Sequence, residues 1–380
     1  MRSWAITEVM NTFENFQLLP TLQATLLEKK FEQPTEIQAR AIPRLLAGES
    51  LVGVSETGSG KTLTYALPVL HLIKTLEIEK QAIQVESQPR ALVLVPTREL
   101  GEQVAKVFKP FTHTTRLRVR TVLGGTAFDV SRRNALGAFE VLIATPGRLV
   151  QLLDKNLVSL SDIRILVFDE ADQILDEGFL PVAKRIVADC PKAAQLVLFS
   201  ATVTSAVQTL IKELFAKAEV IRSQGSHRVV PTLKTLNYTI SDGKRFPELE
   251  KLLDKKTKGG TVVFVNTREQ CDRLVTALKK AERPCLVYRG EMDKVERRKN
   301  LQTFRDGVID VLVSTDLASR GLDVEHISRV INYHMPQQME AYLHRVGRTA
   351  RAGRQGVVIN FITERDQTIL RSLSKVQSEP

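Results

Sequence analysis

The sequence predicts an α/β protein of two tandem, doubly wound parallel-sheet domains joined by a short linker. Three observations predict it. Short runs rich in Val, Leu and Ile recur along the chain, apolar without alternation, as in strands buried on both faces of a sheet. A helical pattern follows each run. The series breaks once, at 222–232 (RSQGSHRVVPT), where Ser, Gly, His and Pro accumulate, and then it restarts.

In the first half the predicted strands are Ser50–Val54, Ala91–Val95, Arg118–Leu123, Val141–Ala144, Ile163–Phe168 and Gln195–Phe199. In the second they are Thr261–Val265, Pro284–Tyr288, Val308–Ser314, Arg329–Tyr333 and Gly356–Phe361. The domains are placed at 1–222 and 233–370, with a linker at 223–232 and a short tail at 371–380. No short tandem repeat is visible, so the halves can share a fold without sharing sequence.

A chain of 380 residues fits about two domains. With 43% hydrophobic residues it can bury real cores, and with 26% charged residues it lacks the composition of a disordered chain. Lys and Arg number 54 against 43 Asp and Glu, which favours a polyanionic partner. The excess is uneven: residues 1–225 carry 26 basic and 24 acidic side chains, residues 226–380 carry 28 and 19. Cys190, Cys271 and Cys285 are scattered, with no CxxC pair. They argue against a disulfide framework or a zinc staple and for a reducing, cytoplasmic setting. No apolar run approaches the ~20 residues of a membrane span, and the N-terminus lacks the pattern of a secretion signal.

Ser55–Thr62 reads SETGSGKT, between the apolar runs LVGV and LTYALPVL. A strand, a glycine-rich loop and a helix in that order form a phosphate cradle. Backbone amides of Thr57, Gly58, Ser59 and Gly60 can close around phosphates, Lys61 can reach the β and γ phosphates, and Thr62 can offer its hydroxyl to Mg²⁺. The strict phosphate-loop pattern has Gly where this chain has Ser55. Ile165–Asp172 reads ILVFDEAD, a strand ending in adjacent carboxylates at the edge where α/β sheets bind ligands. Asp169 is placed to hold Mg²⁺ partly through water, and Glu170 to orient or deprotonate an attacking water.

With DEAD at 169–172 beside that loop, the chain resembles the DEAD-box family of ATP-dependent RNA helicases, within helicase superfamily 2. The resemblance runs from Phe13 to about Asp366 and covers a minimal core of two RecA-like domains. It implies RNA-stimulated ATP hydrolysis at a composite interdomain site. That hydrolysis is coupled to local, non-processive unwinding or remodelling of RNA duplexes or RNA–protein complexes. It also implies ATP and Mg²⁺ as cofactors, RNA as a partner read with little sequence preference, and a monomer.

Phe13 and FEQPTEIQ at Phe31–Gln38 resemble the family's adenine-reading motif. The Gln38 amide can donate to and accept from an adenine edge, while Phe13 or Phe31 can stack on the base. Pro96, Thr97 and Arg98, then Gly124 and Gly125, then Thr145, Pro146, Gly147 and Arg148 resemble the RNA-backbone motifs. Ser200 and Thr202 resemble the coupling motif, whose hydroxyls can bond the carboxylates of 169–172, Asp172 included.

In the second half VFVNTRE at 263–269 and STDLASRGLD at 314–323 resemble further motifs. There Thr315 and Arg320 are expected on RNA phosphate, and Asp323 on the ATP ribose. HRVGRTAR at 344–351 matches the finger motif. Arg348 and Arg351 take the positions that stabilise charge on the transferring phosphoryl group, and His344 and Arg345 serve coupling, with Arg345 expected to brace the interface with the first domain. The chain departs from the family pattern at Lys30 beside the adenine-reading motif, at the residue after Gly125, and at Arg289, Lys294 and Ala350, the last three bearing on coupling and RNA grip. Two other activities fit the same motifs, a DNA translocase and an ATP-gated RNA clamp. A GTPase fits poorly, because no NKxD sequence is present.

Overall fold

Parallel strands of four to seven residues form both sheets of the computed structural model, which describes residues 12–55, 58–176, 178–223, 233–241, 244–290, 292–316, 326–349, 356–366 and 369–370. Only β10 is shorter, at three residues. The chain divides into two units between Ser226 and His227. Of the predicted linker, all but Ser223 lies outside the described residues.

The first unit's sheet holds β1 (Leu51–Val54), β2 (Ala91–Leu94), β3 (Val119–Val122), β4 (Val141–Ala144), β5 (Ile165–Phe168), β6 (Gln195–Ser200) and β7 (Glu219–Arg222). Their order is β3-β4-β2-β5-β6-β1-β7. The second unit's sheet holds β8 (Leu233–Thr239), β9 (Gly260–Val265), β10 (Leu286–Tyr288), β11 (Val311–Thr315), β12 (Ile327–Asn332) and β13 (Gly356–Ile362), ordered β10-β11-β9-β12-β13-β8. Advancing β3-β4-β2-β5-β6-β1 by seven reproduces the second order strand for strand. The units are therefore topological repeats, although their sequences are not.

Helices cover both faces, and this explains the unbroken apolar runs. Successive residues of one strand feed opposite cores: Ala91 and Val93 of β2 pack into one, Leu92 and Leu94 into the other. In β9, Val262 and Phe264 face one core while Val263 and Val265 face the other. The first unit's helices are α1 (Pro20–Glu28), α2 (Glu36–Leu46), α3 (Lys61–Ile78), α4 (Arg98–Thr115), α5 (Phe128–Asn134), α6 (Pro146–Leu153), α7 (Ala171–Asp176), α8 (Leu180–Ala188) and α9 (Ser205–Leu214). Among the described residues the second unit's bounded helices are α10 (Arg245–Leu253), α11 (Arg268–Lys280), α12 (Lys294–Arg305) and α13 (Met339–Val346).

The predicted strands fall on observed ones, with shifted ends. The largest shift is at Val308, which is exposed just after the left-handed turn at Gly307, so β11 begins at Val311. Two strands escape the apolar-run criterion. β7 and β8 lie at sheet edges and read EVIR and LKTLNYT, where polar residues interrupt the run.

One glycine ties the sheet to the site. Gly53 in β1 lies in register with Phe199 of β6, and a Cβ there would strike the Phe199 ring. That ring packs at 5.8 Å on Tyr65 of α3. Gly53→Ala is expected to lower the first unit's stability by about 1–3 kcal/mol, read as a lower denaturant midpoint.

Candidate functional site

The motifs converge because parallel strands deliver their following loops to one sheet edge. The loops after β1, β5 and β6 carry the phosphate cradle, the DEAD carboxylates and Ser200–Thr202 on neighbouring strands. The loops after β2, β3 and β4 carry the three backbone motifs on the adjoining strands.

Gly58 and Gly60 have φ near +87° and +89°, a region where a side chain is strained. The loop is braced from α2. Thr35 Oγ1 donates to Ser59 O at 2.7 Å, and Gln38 Nε2 donates to Gly60 O at 3.2 Å. Gln38 Oε1 accepts from Thr35 N at 2.8 Å, closing a capping box on α2. These two bonds leave the Gln38 amide one N–H and one lone pair. Ser55, which replaces the usual glycine, is buried, and its Oγ lies 2.9 Å from Ser59 Oγ. Lys61, the first residue of α3, is buried and donates to Ser55 O at 2.6 Å. Thr62 is half-buried beside it, and Thr57 lies outside the described residues.

Asp169 leaves β5 fully buried. Its Oδ2 accepts from Tyr65 Oη at 2.7 Å and its Oδ1 from Glu170 N at 3.0 Å. Burial raises its pKa above the usual carboxylate range, against the opposing pull of Lys61 and the Tyr65 hydroxyl. Burial, then the Asp169 charge, holds the Tyr65 hydroxyl well above its ordinary pKa, so it remains a donor. Glu170 sits at φ +51°, a strained conformation for a side-chain-bearing residue, and accepts from Gln173 Nε2. Asp172 points the other way: its Oδ2 accepts from Thr202 N at 3.0 Å and Thr202 Oγ1 at 2.8 Å. Ser200 Oγ accepts from Asp172 N at 3.2 Å and donates to Thr202 O at 2.7 Å. The expected hydroxyl–carboxylate link is therefore made by Asp172.

Of the two phenylalanines expected to stack, Phe13 is buried edge-on against Phe16 and Phe31, while Phe31 is 44% exposed. The expectation named either ring for the base; the two touch each other edge-on at 6.4 Å, and Phe31 is the more exposed.

On the adjoining strands, Thr97 caps α4 by accepting from Leu100 N at 3.3 Å. Arg98 donates to Glu102 at 2.7 Å and to Gly125 O at 3.4 Å. Gly124 N donates to Thr145 Oγ1 at 2.8 Å. Arg148 donates to Thr126 O at 2.7 Å and Ser131 Oγ at 3.1 Å, with Phe128 beneath it. Pro146 opens α6, and Gly147 lies against the Phe179 ring. The three motifs thus form one connected surface.

In the second unit Arg345 is wholly buried. It donates to Asp316 through Nε and Nη2, to Asn266 Oδ1 at 2.7 Å, to His334 O at 2.6 Å and to Asn332 Oδ1 at 3.2 Å. All five donors are used inside this unit, which corrects the expectation that Arg345 braces the first domain. Asn332 continues the network to Asn360 at 2.8 Å, and Asn360 to Asn237 at 2.9 Å, across three strands in register. Thr315 ends β11 half-buried, and Arg348 is buried with its N–H on Arg345 O. Arg320, Asp323, Arg351 and the His344 side chain lie outside the described residues, as do Ala350 and the Lys294 side chain. Arg289 pairs with Asp272 of α11 at 3.4 Å.

Sequence reasoning gave no role to Tyr65, Gln173, Asn266 or Asp316. Asn266 and Asp316 lie inside the stretches 263–269 and 314–323, and Tyr65 lies one helical turn beyond Lys61 on the same face.

Fold and site together define a pair of RecA-like domains, the first with a phosphate loop and an acidic strand end. Residues 35–210 match the family model described as DEAD/DEAH box helicase, and residues 244–353 match the helicase conserved C-terminal domain. The chain belongs to the DEAD-box helicase family. It is 34% identical over 374 residues to the ATP-dependent RNA helicase DeaD of Buchnera aphidicola, covering 98% of this chain and 60% of that protein. It is 36% identical over 344 residues to the human probable ATP-dependent RNA helicase DDX46, covering 90% of this chain and 33% of that protein. The chain thus spans about a third to three-fifths of these relatives. A structure of S. cerevisiae Dbp5 bound to RNA and ADP BeF3 superposes with TM-score 0.84 at 29% identity, covering 97% of this chain and 94% of that one.

Arg345→Met is expected to cost the second unit about 3–5 kcal/mol, because it strands buried acceptors and Asp316. Amide exchange should rise in β9, β11 and β12 and stay unchanged in β5.

Proposed function

We propose that this chain is the catalytic core of an ATP-dependent RNA helicase. It hydrolyses ATP in an RNA-stimulated manner and couples that to local remodelling of RNA duplexes or RNA–protein complexes. The observation that carries the proposal is the buried Asp169 next to Lys61, with Asp172 tied to Thr202 one strand away. The named relatives and the RNA-bound neighbour support it.

In this proposal Lys61 and the loop amides hold the triphosphate. Gln38 offers its remaining N–H and lone pair to adenine, and Phe31 its exposed ring. The donors at this edge fit Mg²⁺: hard oxygens from a carboxylate and a hydroxyl, and a buried carboxylate whose ionised form a cation would favour. Asp169 and Thr62 would hold it, and when bound the ion neutralises phosphate charge. Glu170 orients the attacking water, and Gln173 fixes its carboxylate. Arg348 and Arg351 of the second unit stabilise charge on the transferring phosphoryl group. Asp323 takes the ribose, while Thr315 and Arg320 join the surface at Thr97, Gly124, Gly125, Thr145 and Arg148 in gripping RNA backbone. Such contacts carry little sequence preference and marked salt dependence. Asp172, Ser200 and Thr202 link the phosphate side to the RNA side along one sheet edge. Burial holds the thiols of Cys190 and Cys271 up at about 12 and about 11, so both stay protonated and unreactive. We place the chain in the cytoplasm on the scatter of its three cysteines. We take the active form to be a monomer.

Steady-state ATP turnover is expected to rise with single-stranded RNA more than with DNA of the same sequence. Equal stimulation by DNA, or full turnover without nucleic acid, would overturn the RNA assignment. Arg348→Ala should lose roughly a hundredfold or more of hydrolysis while keeping ATP binding; near-normal turnover would remove Arg348 from the chemistry. Tyr65→Phe removes a hydrogen bond that lowers the Asp169 pKa. Asp169 should then ionise only at higher pH, so the acidic limb of the pH–rate profile should move upward. An unmoved limb would mean that Asp169 does not control it.

A further inference from the structure

The topological repeat gives several ligand positions of the first unit a counterpart in the second. Residues 55–60 join β1 to α3, and residues 240–244 join β8 to α10. Lys61 is the first residue of α3, and Arg245 is the first residue of α10. Asp169 and Glu170 follow β5, and Tyr333 and His334 follow β12. Thr202 lies just beyond β6, and Thr363 just beyond β13. Both hydroxyls donate to a carboxylate a few residues from the site, Asp172 in one case and Asp366 in the other. Thr97 and Thr267 cap the helices that follow β2 and β9.

At that place the second unit has a cavity of about 500 Å³, lined by Arg245, Gln270, His334, Thr363, Arg365 and Asp366 among others. Its chemistry differs from that of the first site in two ways. The connection 240–244 reads ISDGK, with a single glycine where the first unit's loop has Gly58 and Gly60. The adjacent carboxylates are replaced by Tyr333 and His334, so the metal-holding pair is gone. What remains is cationic. Arg245 and Arg365 face the cavity, Arg345 is buried behind His334, and Asp366 is the acid in the lining. Arg245 Nε and His334 Nδ1 are buried and bond no protein atom. Burial first, then Arg245 and Arg345, hold the His334 pKa down at about 4, so the ring is neutral at pH 7.

We propose that this cavity is a second, metal-independent site for a phosphate-bearing anion, held by the side chains of Arg245 and Arg365 and bordered by His334. It rests on the reading of the first unit as the phosphate site only for the parallel between the two. The bound phosphate would sit on guanidinium donors where the first unit offers backbone amides and a lysine.

The test titrates the full chain with pyrophosphate and, separately, with ADP, without Mg²⁺, and follows the His334 imidazole resonances by NMR. Loss of the signal in His334→Gln makes the assignment. The expected result is a saturable His334 shift that weakens roughly tenfold or more in Arg245→Met, as expected for loss of a charged hydrogen bond. Arg365→Gln, at an exposed position that folding does not need, should weaken it as well. Lys61→Ala should leave it unchanged, which separates this site from the first. Tighter binding of ADP than of pyrophosphate would assign the site to a nucleotide, and comparable binding to free polyphosphate. Overturning results are no saturable shift with either ligand, a shift abolished by Lys61→Ala, or unaltered affinity in both arginine variants.

Discussion

The buried carboxylate of Asp169 is the constraint around which the first unit is arranged. An ionised group out of water is expensive unless other groups bond it. Tyr65 and the Glu170 amide take its two oxygens, and Lys61 supplies opposite charge. Each partner constrains something else. Tyr65 must lie inside the core between Phe108 and Phe199, and Phe199 in turn needs Gly53 to lack a side chain. Glu170, whose amide bonds Asp169, itself sits at a positive φ. Core packing and a glycine in an interior strand are thus parts of one device that holds a carboxylate away from water.

The second unit solves a related problem with the opposite sign. Arg345 is a buried cation with every donor engaged, and its partners come from the ends of three strands. The asparagine ladder of Asn332, Asn360 and Asn237 carries the same polar network across the sheet. A half-satisfied network of this kind would be worse than an apolar core. The arrangement ties β9, β11 and β12 to the helix that ends just before Arg348, whose N–H bonds Arg345 O.

Much of this was legible in the sequence. Strands buried on both faces announce themselves as unbroken apolar runs, and the motifs sit where strand ends must deliver them. The strands that escaped, β7 and β8, are edge strands whose polar positions break the run. Phe13 and Phe31 were not separable in sequence, because an aromatic residue near a base-reading motif can be the ring that stacks or one that packs beside it; in the fold they differ in burial. Arg345 was misjudged for a similar reason: three arginines at spacing three look equivalent in sequence. Their environments depend on Asn266, Asp316 and Asn332, which arrive from distant strands. A shared fold of the two units was expected from their motifs, but its strand order was not readable from residues, because topology is retained where side chains are not.

Gln38 has one further consequence. Its amide caps α2 and holds the Gly60 carbonyl, and the proposal also assigns it the base. Choice of nucleotide and integrity of the phosphate loop are then inherited through the same few atoms. A change of base preference cannot evolve here by one substitution. It needs a second residue to take over the cap and the brace before Gln38 is free to vary, so the position is locked by architecture as much as by chemistry.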